Sequence, residues 1–184
     1  MDERELKIQF NSEIAEGDPN VRVAFYANIG FFIEIAQMLE FNLRKLICYH
    51  NSVTEIEKEE ITKERLKKIF EENGEYYIKT YKDKFTLGKL TKELRNLSIL
   101  QSNVLDKFDE INEYRILVVH KIFQNNIIMV DKFKDAKYVM EYTNQRLLPM
   151  IEKVTAINKM VIKVIEAYKE DLYKYMNDVG IVVE

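Results

Sequence analysis

Arg115 and His120 are the residues whose types and spacing suggest chemistry. They lie in Asn112-Glu113-Tyr114-Arg115-Ile116-Leu117-Val118-Val119-His120, where a charged run gives way to an apolar one. Read in helical steps, Leu105, Phe108, Ile111, Arg115, Val118 and Ile122 fall on one face. Arg115 is the only charged member of that stripe. An unpaired guanidinium is costly to bury, so it calls for a carboxylate, a phosphate or a wet cleft. His120 is of the one side-chain type that titrates near neutrality unaided. The pair therefore suggests a small anion site with a proton-transfer group. In a straight α-helix a five-residue spacing sets two side chains about 140° apart and roughly 7.5 Å along the axis. Both still reach a phosphate lying across the helix. The structural alternative pairs Arg115 with a carboxylate, Glu34 or Glu40, and leaves His120 to cap a carbonyl.

Other chemistries fail on inventory. The five glycines are scattered and form no phosphate loop. His50 and His120 are too far apart in sequence for a metal-ligand pair, Cys48 is the only cysteine, and no Glu-x-x-His occurs. No metal and no cofactor is expected. Asn112 lies one turn before the motif and is a supporting candidate, as is Glu40. Lys121, Lys132, Lys134 and Lys137 offer a basic track for RNA beside the motif, or simply a solvated charged face.

The elements that must position these residues read as helices. With five glycines and two prolines the chain is poor in turn signals. Residues 1–19 form a polar N-terminal arm. A long helix runs from a cap at Asn20 to about Tyr49, with Phe25, Ile29, Phe32, Leu39 and Leu43 at helical spacing. Residues 50–60 read as a charged connection, with Thr54 and Glu57 at capping-box spacing. A second helix covers Thr62 to about Asn73, where Gly74 ends or interrupts it. Residues 76–85 fit either a helix or an extended piece. A short helix follows from Thr86 through Leu94. Ser98 and Gln101 then form a capping-box pair that starts the motif helix, which runs to about Val130. Residues 135–177 are helical again, with a kink or break at Pro149 and a stop at Gly180. The expected fold is all-α: one domain over residues 1–184, an antiparallel bundle of four to five helices whose last member is long and kinked.

Composition agrees. Apolar residues make up 47% of the 184 and charged residues 32%, the balance of a globular domain. The net charge of −3 excludes a basic coat for nucleic acid, so any RNA must meet a local positive patch. No run of about 18 apolar residues is present, so no membrane span is expected. The first residues lack the blocks of a signal peptide, which makes the cytoplasm the expected location.

The run Arg115-Ile116-Leu117-Val118-Val119-His120 resembles the R-x4-H motif of the HEPN superfamily of helical proteins. Its context is similar too: Val118-Val119-His120 is followed by an aromatic residue, Phe123. Upstream, Thr86-Leu87-Gly88-Lys89-Leu90 resembles the entry to the helix before that motif in some relatives, and Met38-Leu39-Glu40-Phe41-Asn42-Leu43 resembles part of the opening helix. The likeness spans residues 20–130. It implies a helical bundle that acts as a homodimer, and a metal-independent endoribonuclease of the toxin or defence-effector kind. Arg115 would hold the scissile phosphate, and His120 would move the proton of the attacking 2′-hydroxyl or of the leaving group. A protein partner such as an antitoxin is a further implication. Two departures stand out. Ile116 replaces the polar residue common after the motif arginine, and Ile122 occupies the position of the tyrosine that some relatives carry as a modification target. The alternative reading is a non-catalytic HEPN-like binding or regulatory protein.

Overall fold

The computed structural model describes residues 19–83, 85–121 and 135–181. Among these residues the chain is all-α, with five helices and no strand. Helix α1 spans Pro19–Ile56 and α2 Lys63–Lys82. Helix α3 spans Leu87–Leu97 and α4 Ser102–Ile116, and α4 continues into a π-helical turn over Leu117–Lys121. Helix α5 is built in three parts: an α-helix over Ala136–Tyr142, a π-helical turn over Thr143–Leu147 and an α-helix over Leu148–Asp178. No described helix is long and apolar enough to cross a membrane.

Several helix ends differ from the sequence expectation, and burial accounts for most of the differences. Residues 50–56 continue α1 instead of forming a connection, because Val53 and Ile56 join Leu66, Ile69 and Leu172 in one apolar cluster. That burial overrides the polar capping pattern at Thr54 and Glu57. Thr62 does cap α2, its Oγ1 accepting from Arg65 N at 3.2 Å. The helix then runs through Gly74, because Leu66, Ile69 and Thr80 on either side are buried and hold one face. Ser98 starts nothing. It closes α3 in the left-handed region (φ 54°), its N–H donating to Arg95 O at 3.3 Å. The start of α4 is set instead at Gln101, whose carbonyl accepts from Val104 N and Leu105 N.

Pro149 does not break α5. The preceding turn opens to π geometry, with Leu148 N bonded to Thr143 O. This widening falls where proline removes a donor and crowds the carbonyl four residues back. Gly180 closes α5 as expected. With φ 73° it supports two closing bonds, Gly180 N to Asn177 O and Ile181 N to Met176 O, the double closure of a Schellman motif.

The chain divides into two compact units, Met1–Ala36 with Glu113–Val154, and Gln37–Asn112 with Thr155–Glu184. In the first, aromatic side chains join three helices. Phe32 meets Tyr114 edge-on at 5.2 Å, Phe25 meets Tyr142 at 6.1 Å, and Tyr114 Oη donates to Tyr142 Oη at 3.3 Å.

In the second unit, α1 and α2 run antiparallel, with Asn73 Nδ2 donating to Ser52 Oγ and Phe41 edge-on to Tyr77. Helices α3 and α4 are antiparallel as well, since Arg95 binds Asp106 and Asp109 while Gly88 meets Asn112. Helices α1 and α5 run parallel, as the first and fifth members of an up-down series must. Their rungs are Asn42 with Asn158, His50 with Tyr168, and Glu57 with Tyr175.

Candidate functional site

Arg115 closes α4 and His120 sits in the π-helical turn that follows. Both belong to the unit that contains Glu113–Val154. The π turn alters their relation. Bonding five residues apart places one more residue in the turn than α geometry does, so positions beyond it lag in rotation. His120 lies within that turn, so its angle from Arg115 about the helix axis is smaller than the α-helical angle of about 140°. Arg115 is half-buried with its Nε enclosed, and it already interacts with another group of the chain. His120 is exposed. Val118 beside them is buried, whereas Ile116 and Val119 are 38% and 44% exposed. The motif thus combines an anchored guanidinium, an accessible imidazole and two apolar side chains facing water.

The supporting candidates fall in the other unit, and each has a local duty there. Glu40 and Arg44, one turn apart on α1, hold the chain on either side of Thr86. Leu87 N donates to Glu40 Oε1 at 2.8 Å, and Arg44 donates to Phe85 O. Glu40 therefore caps α3 from a neighbouring helix, where Thr86 makes no side-chain cap. Asn112 packs on Gly88, where an added Cβ would stand 3.1 Å from Asn112 Nδ2. Glu34 is exposed. The stretch Thr86-Leu87-Gly88-Lys89-Leu90 is thus explained by packing: Leu87 and Leu90 are fully buried and Gly88 admits Asn112.

Lys132 and Lys134 lie outside the described residues, as do the side chain of Lys121 and the positions of Ile122 and Phe123. Lys137 is exposed, its backbone N–H bound to Asp135 at the start of α5.

Polar groups that the sequence does not flag gather in the second unit. His50 Nδ1 lies 2.9 Å from Tyr168 Oη, and burial, opposed by Glu57, holds its pKa below the usual value. Tyr76 Oη binds Glu93, and burial together with that bond pushes the phenol far up. Cys48 Sγ donates to Asn73 O at 3.6 Å, and burial with the nearby Glu93 pushes the thiol up to about 11. His50, Asn51, Asn73 and Tyr76 border a hollow of about 480 Å³. An apolar one of about 550 Å³ lies between Leu66, Phe70, Met176 and Ile181. Neither hollow is lined by Arg115 or His120. These partners are far apart in sequence, up to 118 residues for His50 and Tyr168, so no local pattern marks them. Among the described residues no group of three or more His, Cys, Asp or Glu is placed to hold a metal ion. Compared with protein-family models, with curated proteins and with solved structures, the chain matches none.

Proposed function

We propose that the protein is a HEPN-like metal-independent endoribonuclease, active as a homodimer and of the toxin or defence-effector kind. The observation that carries this reading is an exposed imidazole, His120, set in the π-helical turn that begins two residues after a half-buried Arg115. Arg115 holds the non-bridging oxygens of the scissile phosphate with its planar fork. His120 takes the proton of the ribose 2′-hydroxyl as that oxygen attacks phosphorus. The bond from phosphorus to the 5′-oxygen breaks, and that oxygen receives a proton from the His120 of a second copy. The products are a 2′,3′-cyclic phosphate and a free 5′-hydroxyl. Exposed Ile116 and Val119 next to the motif suit an interface that brings two copies together.

A second reading, a non-catalytic HEPN-like binding or regulatory protein, is favoured by one observation. Ile116, directly after Arg115, offers no hydrogen-bonding group. Cleavage of RNA in EDTA by the wild type, lost in His120→Ala, supports the enzyme. Binding of RNA or of a protein partner with no cleavage by the wild type supports the second reading.

A further inference from the structure

We infer that the polar hollow between α1 and α2 binds a small organic cation that carries N–H donors, an alkylammonium or a guanidinium. The hollow lies within the unit formed by Gln37–Asn112 with Thr155–Glu184, and neither Arg115 nor His120 borders it. It is therefore independent of the ribonuclease reading.

At about 480 Å³ the hollow is within the range of small-molecule sites. His50, Asn51 and Thr54 border it from α1, and Glu72, Asn73 and Tyr76 from α2. Three of these side chains are held by groups of the surrounding helices, and for two of them the holding bonds use up every donor. Asn73 Nδ2 donates to Ile69 O and to Ser52 Oγ, both at 3.0 Å. A backbone carbonyl can only accept, so the nitrogen end of the amide is fixed and both its N–H groups are spent. What remains is Oδ1, an acceptor. Tyr76 Oη donates its one proton to Glu93, because a carboxylate also only accepts. The phenol oxygen is left as a second acceptor. His50 is held through Nδ1, 2.9 Å from Tyr168 Oη, and burial favours its neutral form, so it adds no opposing charge. Asn51 and Thr54 complete the border with groups able to accept or donate.

Charge points the same way. Glu72 is exposed at the edge, offset only by a 3.8 Å contact with Lys68, itself exposed. Lys58, also at the edge, is already bonded to Glu55. Glu93, the partner of Tyr76, is half-buried and forms no ion pair among the described residues. Arg44, whose charge also reaches Tyr76, donates instead to Phe85 O. Free acceptors in a negative field select a ligand that brings its own N–H groups and a positive charge, since hydrogen bonds from a charged donor are the stronger kind.

The probe is agmatine, which carries a guanidinium and an ammonium, titrated calorimetrically into the full chain at physiological salt. Hexamethonium, with two permanent charges and no N–H group, is the control. Agmatine is expected to bind saturably at one site per chain, and hexamethonium is not, because charge without donors leaves the acceptors unfilled. Tyr76→Phe removes one acceptor and is expected to weaken agmatine about tenfold, the loss of a hydrogen bond to a charged group. Glu72→Gln removes an exposed charge and is expected to weaken it several-fold, with the melting temperature of the free protein unchanged. Glu71→Gln, one residue away on α2 but outside this hollow, is expected to change nothing. Absence of saturable binding at millimolar agmatine overturns the inference. So do hexamethonium binding as tightly, unchanged affinity in Glu72→Gln, and an equal loss in Glu71→Gln. Tyr76→Phe also strips Glu93 of its donor; if that variant does not fold, Glu72→Gln decides alone, and if it folds and binds agmatine unchanged, the inference falls.

Discussion

Replacing Arg115 by lysine keeps a positive charge and removes the fork, so it separates two duties for the same side chain. If the guanidinium grips phosphate in the transition state, turnover falls on the order of a hundredfold, RNA affinity falls much less and the melting temperature barely moves. If Arg115 instead serves a buried carboxylate, Arg115→Ala costs about 3–5 kcal/mol and no RNA is cut by the wild type. Melting curves and cleavage rates for both variants decide between them. His50 answers to pH in a calculable direction. Burial lowers its pKa below the usual 6.5, so as pH falls through that value the unfolded chain takes up a proton that the folded chain resists. Stability is thus at its full value above this range and declines as the medium becomes more acidic. His50→Gln is expected to flatten the fall in urea midpoint between about pH 7 and pH 5, the range in which an unperturbed histidine titrates.

At the scale of elements, the end of α3 carries a cost that can be relieved. Ser98 is the one non-glycine residue at positive φ among the described residues, in a region where a side chain crowds the following carbonyl. Ser98→Gly is expected to raise stability by about 0.5–1 kcal/mol, read as a higher denaturant midpoint at unchanged slope. The same residue shows why helix existence was legible and some helix ends were not. Apolar spacing located all five helices, and single strong signals such as Thr62 and Gly180 located their ends. A serine three residues before a glutamine is chemically able to start a helix, yet here Ser98 ends one, between turns that bury Leu94 on one side and Leu105 on the other. The π turns were not legible either. Five-residue hydrogen bonding has no distinctive composition, and Pro149 alone does not say whether a helix will break or widen. The Arg115–His120 spacing is visible in the sequence, but its meaning depends on that widening.

For the whole molecule, the decisive quantity is its mass in solution. Light scattering at micromolar concentration is expected to report a dimer, and polar substitution at Ile116 and Val119 to shift it toward monomer. A strictly monomeric wild type would remove the two-copy site. A single thiol supplies a second, slower measurement. With its pKa near 11, Cys48 is about one part in a thousand thiolate at pH 8, whereas an ordinary cysteine is roughly a quarter ionised there. Iodoacetamide is therefore expected to label native protein about a hundredfold more slowly than the unfolded chain. Labelling faster than this residual thiolate allows would pass through moments when the Cys48–Asn73 bond between α1 and α2 opens. The chain thus carries its own stopwatch for local opening: any labelling rate above that floor counts how often those two helices separate, with no cysteine added to the sequence.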